Sequence, residues 1–290
     1  MVLRAVKGLS EVADEFDGFI LDLWGLVHDG VTAYLASAET FRCLKAAGKK
    51  TLLLSNAPRR AYALVDAMAK MDLPRDLYGE VLSSGEATRA ALIARDDPFF
   101  AALGNTAYHL GPARDRTVFD DTGLKIASDV RDADFIVNTG PDGFDTVVED
   151  YAAVLEAAAA KSLPMVCANP DMAVIREGTR VICAGAIAKQ YIVLGGKVAY
   201  RGKPDPAVYE LALKQLGVAD RTRVAVVGDA LETDVKGGNA AGLKAIWCTG
   251  GIHAEALGIR YGEAADPVKA EALAWNEGQI PAMIIPGFVW

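Results

Sequence analysis

The sequence predicts an α/β fold built on a parallel β-sheet, with a second α/β domain inserted into the first. Short apolar runs alternate with helical patterns along almost the whole chain, and this order is typical of parallel sheets that carry helices on both faces. The strands are predicted at 18–23, 50–54, 80–83, 106–110, 134–138, 164–168, 180–183, 197–200, 223–227 and 244–248. The helices are predicted at 34–47, 58–71, 86–95, 144–161, 185–194, 205–216, 232–241 and 267–276.

The insertion is predicted from the spacing of three polar residues near the ends of these elements. Asp22 and Ser55 are 33 positions apart, which is one β-α-β crossover and leaves no room for an extra domain. Ser55 and Lys203 are 148 positions apart, far more than one crossover needs. The predicted division is a first domain of residues 1–84 and 198–290 and an inserted domain of residues 85–197.

The first predicted strand ends in a carboxylate. Residues 19–21 are wholly apolar, Asp22 follows them, and Gly25 closes the run, as expected for a strand that is buried on both faces. Ligands of open α/β sheets bind outside the carboxyl ends of the strands, so Asp22 is well placed to act as a nucleophile or a metal ligand. An aspartate that only caps the next turn explains this run equally well.

Five more polar residues stand at comparable places. Ser55 and Asn56 follow the second predicted strand, Asp229 follows the ninth, and Asp234 comes shortly after it. Lys203 precedes the helix predicted at 205–216. Each has an ordinary structural interpretation: a helix cap for Ser55 and Asn56, a solvated side chain for Lys203, and a helix N-terminal charge for Asp234. The ordered set at consistent strand ends is what indicates a catalytic site.

In this order, these residues and Asp22 resemble the motifs of the haloacid dehalogenase superfamily, whose members are mostly phosphatases. The resemblance covers nearly the whole chain, and it implies a Rossmann-like parallel-sheet core with a large inserted α/β cap domain. The cap lies between the second and third motifs, which is the class II arrangement. The chain looks most like subclass IIA, which includes sugar-phosphate, nucleotide and p-nitrophenyl phosphatases. Asn169 and Asp171 also resemble that subclass and are candidates for substrate contacts.

The resemblance implies a reaction and a role for each residue that takes part in it. Asp22 is the expected nucleophile, which forms an aspartyl-phosphate during hydrolysis of a small phosphomonoester. Lys203 is expected to pair with Asp22 and with the phosphate. Ser55 and the backbone N–H of Asn56 are expected to donate hydrogen bonds to phosphate oxygens, near the N-terminus of the following helix.

A magnesium ion is the cofactor that the resemblance implies. A carboxylate facing a phosphate dianion repels it, and Mg²⁺, which prefers hard oxygen ligands, is the cation expected between them. The expected ligands are Asp22, the backbone carbonyl of Trp24, and Asp229. Asp234 is expected to support the metal site or Lys203 without binding the ion itself.

One position departs from the family. Most phosphatases of the superfamily carry a second aspartate two residues after the nucleophile, where this chain has Trp24. General acid–base catalysis is typically worth about 10²–10⁴-fold, so we expect weak turnover that is strongest on good leaving groups, or a substitute acid. His28 is the nearest candidate and Asp29 the next, although the turn-like sequence around His28 favours a hydrogen-bonded turn residue there.

Two other functions stay open on the same motifs. Dehalogenases of the superfamily also lack the second aspartate, but their cap lies between the first and second motifs, where this chain has no room. A non-catalytic sensor would bind a phosphorylated ligand in the same pocket without turning it over. Retention of Asp22, Lys203, Asp229 and Asp234 counts against complete loss of catalysis, because an unused cluster of buried charges is costly.

Composition and charge narrow the expected partners to a small phosphorylated metabolite. The net charge of −8 argues against nucleic acid and against an anionic membrane surface, since both favour basic proteins. The four cysteines have no metal-binding spacing, and no stretch approaches a membrane span, which favours a cytoplasmic protein. The apolar segment 284–290 is expected to dock on the chain's own core or on a partner subunit, which leaves a homodimer open.

Overall fold

The computed structural model describes residues 3–290 and confirms the α/β fold. Its strands are β1 (Arg4–Ala5), β2 (Gly18–Leu21), β3 (Lys50–Ser55), β4 (Glu80–Ser83), β5 (Thr106–Leu110), β6 (Lys125–Ala127), β7 (Phe135–Asn138), β8 (Met165–Cys167), β9 (Ala173–Arg176), β10 (Thr179–Ile182), β11 (Val198–Tyr200), β12 (Val224–Gly228), β13 (Lys244–Cys248) and β14 (Met283–Ile285). Its α-helices are α1 (Ser37–Ala46), α2 (Ala61–Ala69), α3 (Ser84–Ala94), α4 (Pro98–Ala101), α5 (Ala152–Ala160), α6 (Ala184–Val193), α7 (Pro206–Leu216), α8 (Lys236–Ala240), α9 (Ala254–Leu257) and α10 (Pro267–Asn276).

Seven strands form one parallel sheet in the order β1-β14-β13-β12-β2-β3-β4. From β2 the chain runs outward through β3 to β4, whereas from β12 it runs outward in the opposite direction through β13 to β14. The strand order therefore reverses between β2 and β12. Ligands of such sheets bind at this reversal, beyond the carboxyl ends of the strands.

The strand β2 is buried on both faces, as its apolar run predicts. Phe19 and Leu21 belong to one hydrophobic cluster, and Ile20 belongs to another. Successive side chains of a strand point to opposite faces, so the two clusters cover the two faces of the sheet. This packing holds the end of β2, and with it Asp22, in a defined position.

A second parallel sheet has five strands in the order β11-β8-β7-β5-β6. Its strands come from the segment of the chain between β4 and α7. The last of them, β11, lies just beyond the predicted domain boundary at 197. The division of the chain into two independent domains remains a prediction.

The predicted strand at 180–183 corresponds to β10, but β10 belongs to neither parallel sheet. It pairs antiparallel with β9, which the sequence did not predict, and Thr179 lies opposite Arg176. The two residues between them, Glu177 and Gly178, have φ values of 48° and 77°. Positive φ at both positions is what a type I′ turn in a two-residue hairpin requires, so this turn reverses the chain where a parallel crossover was expected.

Three further strands and one helix start also differ from the prediction. The short strands β1, β6 and β14 were not predicted. The helix predicted from 144 begins as α5 at Ala152, after a 3₁₀ turn at Val148–Tyr151. Asp150 accepts a hydrogen bond from the N–H of Val147 at 2.9 Å, which stabilises that turn at the point where the helix enters.

The C-terminal segment docks on the chain's own core. β14 lies between β13 and the edge strand β1 of the large sheet, and Phe288 is fully buried in the cluster that also contains Phe19. Within residues 3–290, none of the helices has the length and apolarity that crossing a membrane would take.

Candidate active site

The predicted site residues converge where the order of the large sheet reverses. Asp22 directly follows β2, and its N–H donates to the carbonyl of Val227 in β12 at 2.9 Å. Asp229 directly follows β12, and Ser55 is the last residue of β3. Since β12, β2 and β3 are adjacent and parallel, their carboxyl ends bring these side chains to one edge of the sheet.

Lys203 brings a positively charged ammonium group to the carboxyl ends of these strands. Its ammonium group lies 2.5 Å from Oδ1 of Asp22 and 2.7 Å from Oδ1 of Asp234, and all three side chains are buried. Burial by itself would lower the pKa of Lys203, but Asp22 and Asp234 outweigh it and hold that pKa well above its ordinary value. The lysine therefore stays charged.

Three carboxylates surround this single ammonium group. Asp22, Asp229 and Asp234 each offer an oxygen, and these oxygens all lie within 4.8 Å of one another. Burial raises the pKa of Asp22 and raises that of Asp234 to about 6, while Lys203 opposes both shifts. Burial and the two neighbouring carboxylates raise the pKa of Asp229 well above its usual range.

A divalent cation fits this acidic cluster. Buried carboxylates that outnumber the nearby cations are unfavourable unless further positive charge is present, and hard oxygen donors are the ligands that Mg²⁺ prefers. Asp234 already accepts from Lys203 and, through Oδ2, from the N–H of Ala230 at 3.2 Å. Asp22 and Asp229 are thus the carboxylates best placed to hold a metal ion.

Two glycines make room for the carboxylate of Asp229. A Cβ atom on Gly25, whose φ is +84°, would lie 2.0 Å from Oδ2 of Asp229, and one on Gly251 would lie 2.2 Å from the same oxygen. The N–H of Ile252 donates to this oxygen at 2.7 Å. The loops after β2 and β13 therefore clamp Asp229 in one orientation, and any larger side chain would displace it.

Asn56 connects Lys203 to Asp171, a residue from the part of the chain that forms the five-stranded sheet. Its amide accepts from the backbone N–H of Lys203 at 2.7 Å and donates to the Lys203 carbonyl at 3.1 Å. The same amide nitrogen donates to Oδ1 of Asp171 at 2.8 Å. The side chain of Asn56 thus positions Lys203 and Asp171. Ser55 accepts from the N–H of Ala57 at 3.2 Å, which leaves its hydroxyl hydrogen available to another acceptor.

The indole of Trp24 contacts the β9–β10 hairpin. Its Nε1–H donates to the carbonyl of Ile175 in β9 at 2.7 Å. The ring lies so close to Gly30 that a Cβ there would be 2.2 Å from it, and Arg176 donates to the Gly30 carbonyl at 3.2 Å. Trp24 therefore joins the loop after β2 to the hairpin and brings no proton-transfer group to the site.

His28 and Asp29 both serve the turn after Trp24. Nδ1 of His28 accepts from the N–H of Gly30 at 3.0 Å, and Asp29 accepts from the N–H groups of Val31 and Thr32 at 2.9 and 2.8 Å. Burial lowers the pKa of His28 to about 4, so the ring is neutral near pH 7. This geometry matches the turn role that the sequence favoured for His28.

The site opens into a cavity of about 640 Å³. Residues from the part of the chain that forms the large sheet and from the part that forms the five-stranded sheet both line it. Asn169 and Asp171 line it together with the cluster of Asp22, Asp229 and Asp234, and Oδ1 of Asn169 accepts from the N–H of Asp171 at 3.0 Å. Of the residues that the sequence predicted for the site, only His28 lies off the cavity wall. A volume of this size suits a small metabolite.

Sequence reasoning missed four charged residues on the cavity wall, Arg59, Arg114, Asp115 and Glu255. Arg59 comes soon after Ser55 and Asn56 in the loop that follows β3, so its position along the chain could have suggested it. Arg114 and Asp115 lie in a 3₁₀ segment after β5 and carry no comparable signal. Only the packing of the two segments brings them beside Arg59.

Comparisons with known proteins agree on a family. A family model described as haloacid dehalogenase-like hydrolase matches residues 19–125, and one described as HAD-hydrolase-like matches residues 200–274. The chain is 25% identical to an acid sugar phosphatase of Staphylococcus aureus, over 82% of this chain and 88% of that protein. It is 28% identical to chronophin of Rattus norvegicus, over 84% and 80% of the two chains. A solved haloacid dehalogenase-like hydrolase from Brucella suis superposes with a TM-score of 0.83 and 29% identity, covering 98% of this chain and 100% of the other.

Proposed function

Because this chain belongs to the haloacid dehalogenase-like hydrolases, we propose that it is a phosphatase that hydrolyses a small phosphomonoester, such as a sugar phosphate or a nucleotide, through Asp22. A carboxylate oxygen of Asp22 bonds to phosphorus while the bond to the ester oxygen breaks, and the leaving oxygen takes a proton from water and departs as the alcohol. Water then attacks the aspartyl-phosphate, which releases inorganic phosphate and restores the carboxylate. The observation that carries this proposal is the 2.5 Å contact between Lys203 and Asp22 inside a cavity that also holds Asp229 and Asp234.

Positive charge and hydrogen-bond donors would receive the phosphate beside Asp22. The buried ammonium group of Lys203 would stabilise negative charge on the transferring group, which is where electrostatic catalysis of phosphoryl transfer acts. The hydroxyl of Ser55 has a hydrogen to donate, because its oxygen accepts from the N–H of Ala57. The backbone N–H of Asn56 is the second proposed donor.

Mg²⁺ is the proposed cofactor. Asp22, the backbone carbonyl of Trp24, and Asp229 would hold it, and Asp234 would support Lys203, with which it pairs at 2.7 Å. When bound, the ion supplies the positive charge that offsets repulsion between the Asp22 carboxylate and a phosphate dianion. Support comes from the mutual closeness of the three carboxylates and from the raised pKa of Asp229.

The leaving group would receive little help from the protein. Trp24 cannot transfer a proton near neutral pH, and His28, which is neutral there, accepts a hydrogen bond through Nδ1 within its own turn. Esters with good leaving groups, such as aryl phosphates, should therefore react faster than alkyl phosphates.

A phospholigand sensor on the same fold is the second candidate. The observation that favours it is the Trp24 indole, which bonds to the hairpin carbonyl of Ile175 where an acid would serve turnover. In either case, the proposed partner is a small phosphorylated metabolite and not nucleic acid or a membrane. The sensor would bind that ligand with Mg²⁺ and release it unchanged.

Phosphate release from a panel of alkyl and aryl phosphomonoesters, with and without Mg²⁺, tests the proposal. We expect release to require Mg²⁺ and to fall at least about a thousandfold in Asp22→Asn, because that change removes the nucleophile. Asp66→Asn, a change on α2 away from the cavity, is the matched control and should behave as the wild type. Equal release by the Asp22→Asn variant would contradict the role of Asp22. Binding of phosphoesters without any release would favour the sensor.

A further inference from the structure

The cavity wall carries positive charge that the proposed reaction does not use. Arg59, in the loop after β3, and Arg114, in the 3₁₀ segment after β5, both line the cavity that contains Asp22. Arg59 belongs to the part of the chain that forms the large sheet, and Arg114 belongs to the part that forms the five-stranded sheet. Asp115 stands between them.

The carboxylate of Asp115 is the acidic group that lies near the guanidinium groups of both Arg59 and Arg114. Nε of Arg59 lies 3.2 Å from Oδ1 of Asp115, and Nε of Arg114 lies 4.0 Å from the same oxygen. Among residues 3–290, no other carboxylate lies within 4.0 Å of either guanidinium group. The charge of Asp115 can offset one arginine, so a positive charge remains on this wall.

The contact between Arg59 and Asp115 is also incomplete as a hydrogen bond. Nε of Arg59 and Oδ1 of Asp115 are both buried without a hydrogen-bond partner, although they lie 3.2 Å apart. Burial lowers the pKa of Arg59, as expected for a cation whose surroundings do not fully compensate its charge. Buried polar groups without partners are rare and often mark a place where a ligand or water completes the bonding. An anion that reaches Arg59 would supply an acceptor to its guanidinium group.

An aromatic ring holds the second arginine at the edge of the same wall. The guanidinium group of Arg114 lies 5.2 Å from the ring centre of Phe144, and that of Arg176 lies 4.2 Å from it. Phe144 lines the cavity. Stacking on an aromatic face limits the positions of a guanidinium group and leaves its N–H edge free for an anion.

The distance from the reacting end suits a small molecule with two charged ends. Arg59 is three residues after Asn56, so their Cα atoms are at most about 11 Å apart. Asn56 contacts the backbone of Lys203, and the side-chain ammonium group of Lys203 contacts Asp22. A metabolite with its phosphate at Asp22 could therefore reach Arg59 within a cavity of about 640 Å³.

We propose that Arg59 and Arg114 form a subsite for a second anionic group of the substrate, a carboxylate or a second phosphate at the end remote from the reacting ester. The inference rests on the proposed phosphatase function, whose substrate class it narrows. A guanidinium group binds either anion through paired N–H donors. Asp115 holds the two arginines apart and oriented toward the cavity. If the only role of these residues were a structural ion pair with Asp115, Arg59 would be sufficient and Arg114 would not be needed.

The test compares two substrate pairs whose members differ in the second anion, with Mg²⁺ present. The pairs are 3-phosphoglycerate against glycerol 3-phosphate, and fructose 1,6-bisphosphate against fructose 6-phosphate. We expect kcat/KM to favour the doubly anionic member of at least one pair by roughly tenfold or more, as a charge-assisted hydrogen bond would give. Preference within the first pair identifies a carboxylate, and preference within the second identifies a phosphate.

Variants separate the subsite from general effects on the enzyme. Arg114→Gln should reduce the preference ratio by about tenfold to hundredfold, and Arg114→Lys should retain part of it. Arg116→Gln is the matched control, since Arg116 is exposed on the same 3₁₀ segment and does not line the cavity. A wild-type enzyme that hydrolyses aryl phosphate but shows no preference within either pair would overturn the inference, as would an unchanged ratio in Arg114→Gln.

Failure of the phosphatase function is distinguishable from failure of the subsite. If no ester, p-nitrophenyl phosphate included, is hydrolysed in an Asp22-dependent manner, the proposed function is wrong. Calorimetric binding of the same four compounds to the Mg²⁺-loaded protein then tests the subsite. Tighter binding of a doubly anionic member, lost in Arg114→Gln, supports it, and equal binding within both pairs overturns it.

Discussion

Trp24 combines two effects in one side chain. It stands two residues after the proposed nucleophile, where the family's acid usually lies, and it donates a hydrogen bond to Ile175 of the hairpin. An indole N–H is a donor only and exchanges no proton near neutral pH. This residue therefore leaves the position of the usual acid without a proton donor and also joins the loop after β2 to the hairpin.

Replacing Trp24 by aspartate should restore acid–base help. We expect Trp24→Asp to raise the kcat for an alkyl phosphate by about 10²–10⁴-fold, and to change an aryl phosphate much less, because a good leaving group needs no proton. Steady-state kinetics on the two ester types measures this. Trp24→Asn has the same size without a transferable proton and is the control. Equal rates in the aspartate and asparagine variants would contradict the expectation.

His109 links stability to pH outside the catalytic cluster. Its Nε2 lies 2.8 Å from Oγ1 of Thr139, and burial, with a contribution from Arg116, lowers its pKa to about 4. In the unfolded chain a histidine titrates near a pKa of about 6.5. Between these values the unfolded state binds a proton that the folded state does not. His109 therefore contributes stability that is fully present above the unfolded pKa and is lost as pH falls toward 4.

Removing this histidine should flatten the acid side of the stability profile. We expect His109→Gln to reduce the slope of the unfolding free energy against pH by up to about 1.4 kcal/mol per pH unit between roughly pH 4 and 6.5. Urea unfolding at several pH values in that window, on both proteins, gives the slopes. Parallel profiles would show that His109 titrates alike in the folded and unfolded states.

At the scale of elements, the loops that follow the strands shape the site as much as the strands do. The carboxylate of Asp229 fits only because the loops after β2 and β13 present Gly25 and Gly251 to it. Asp234 lies in a single π-helical turn at Leu231–Val235, an irregularity that often occurs at functional sites. The strands set the edge of the sheet, and these loops orient the side chains on it.

The glycine after β13 provides a test of this loop. In Gly251→Ala the new Cβ would lie 2.2 Å from Oδ2 of Asp229 and would displace that carboxylate. We expect the apparent affinity for Mg²⁺ in the phosphatase assay to fall by about tenfold to hundredfold, as when a residue that orients a metal ligand is lost. A Mg²⁺ titration of activity measures the change.

Gly48→Ala is the matched control for this substitution. Gly48 has a φ of +67°, and a Cβ atom added there would have no other atom within 4 Å, so alanine should cost only the strain of its backbone conformation. That strain is about 1 kcal/mol of stability and does not reach the site. The Mg²⁺ dependence of this variant should equal that of the wild type. Unchanged Mg²⁺ affinity in Gly251→Ala would indicate that Asp229 does not hold the ion.

At the scale of the whole molecule, a few polar contacts close the cavity between the segments of the two sheets. Trp24 bonds to Ile175, Asn56 to Asp171, and the hydroxyl of Ser84 to the carbonyl of Ala168 at 2.5 Å. Their partners come from loops or from the hairpin and not from the centre of either sheet.

Loss of the Trp24 contact should loosen the hairpin. Trp24→Phe keeps an aromatic ring but removes the donor, so we expect amide hydrogens of β9 and β10 to exchange about tenfold faster, the effect of one net hydrogen bond on local opening. Hydrogen–deuterium exchange with mass spectrometry measures this. Trp275→Phe, at a side chain that is 73% exposed on α10, is the control. Equal exchange in the two variants would mean that other contacts hold the hairpin.

The residue pattern predicted the parallel α/β fold and the residues that gather at the proposed catalytic edge, and the resemblance of those residues to known motifs indicated the family. Strand burial follows from runs of neighbouring residues, and Asp22, Ser55 and Asp229 could be located because each stands at the end of such a run. Parallel strands bring their ends to the same edge of a sheet, so local patterns were sufficient to place these side chains together.

Only the tertiary structure decided what faces those residues. Trp24 and Ile175 are 151 positions apart, and no periodicity or spacing connects them. The pairing of Arg59 with Asp115 and the antiparallel turn at Glu177 likewise depend on how separate segments pack and on backbone torsions that a residue type permits but does not dictate. The gathering of Asp22, Ser55 and Asp229 can therefore be predicted from the chain, whereas the wall that carries Arg59 and Asp115 exists only once the two segments have come together.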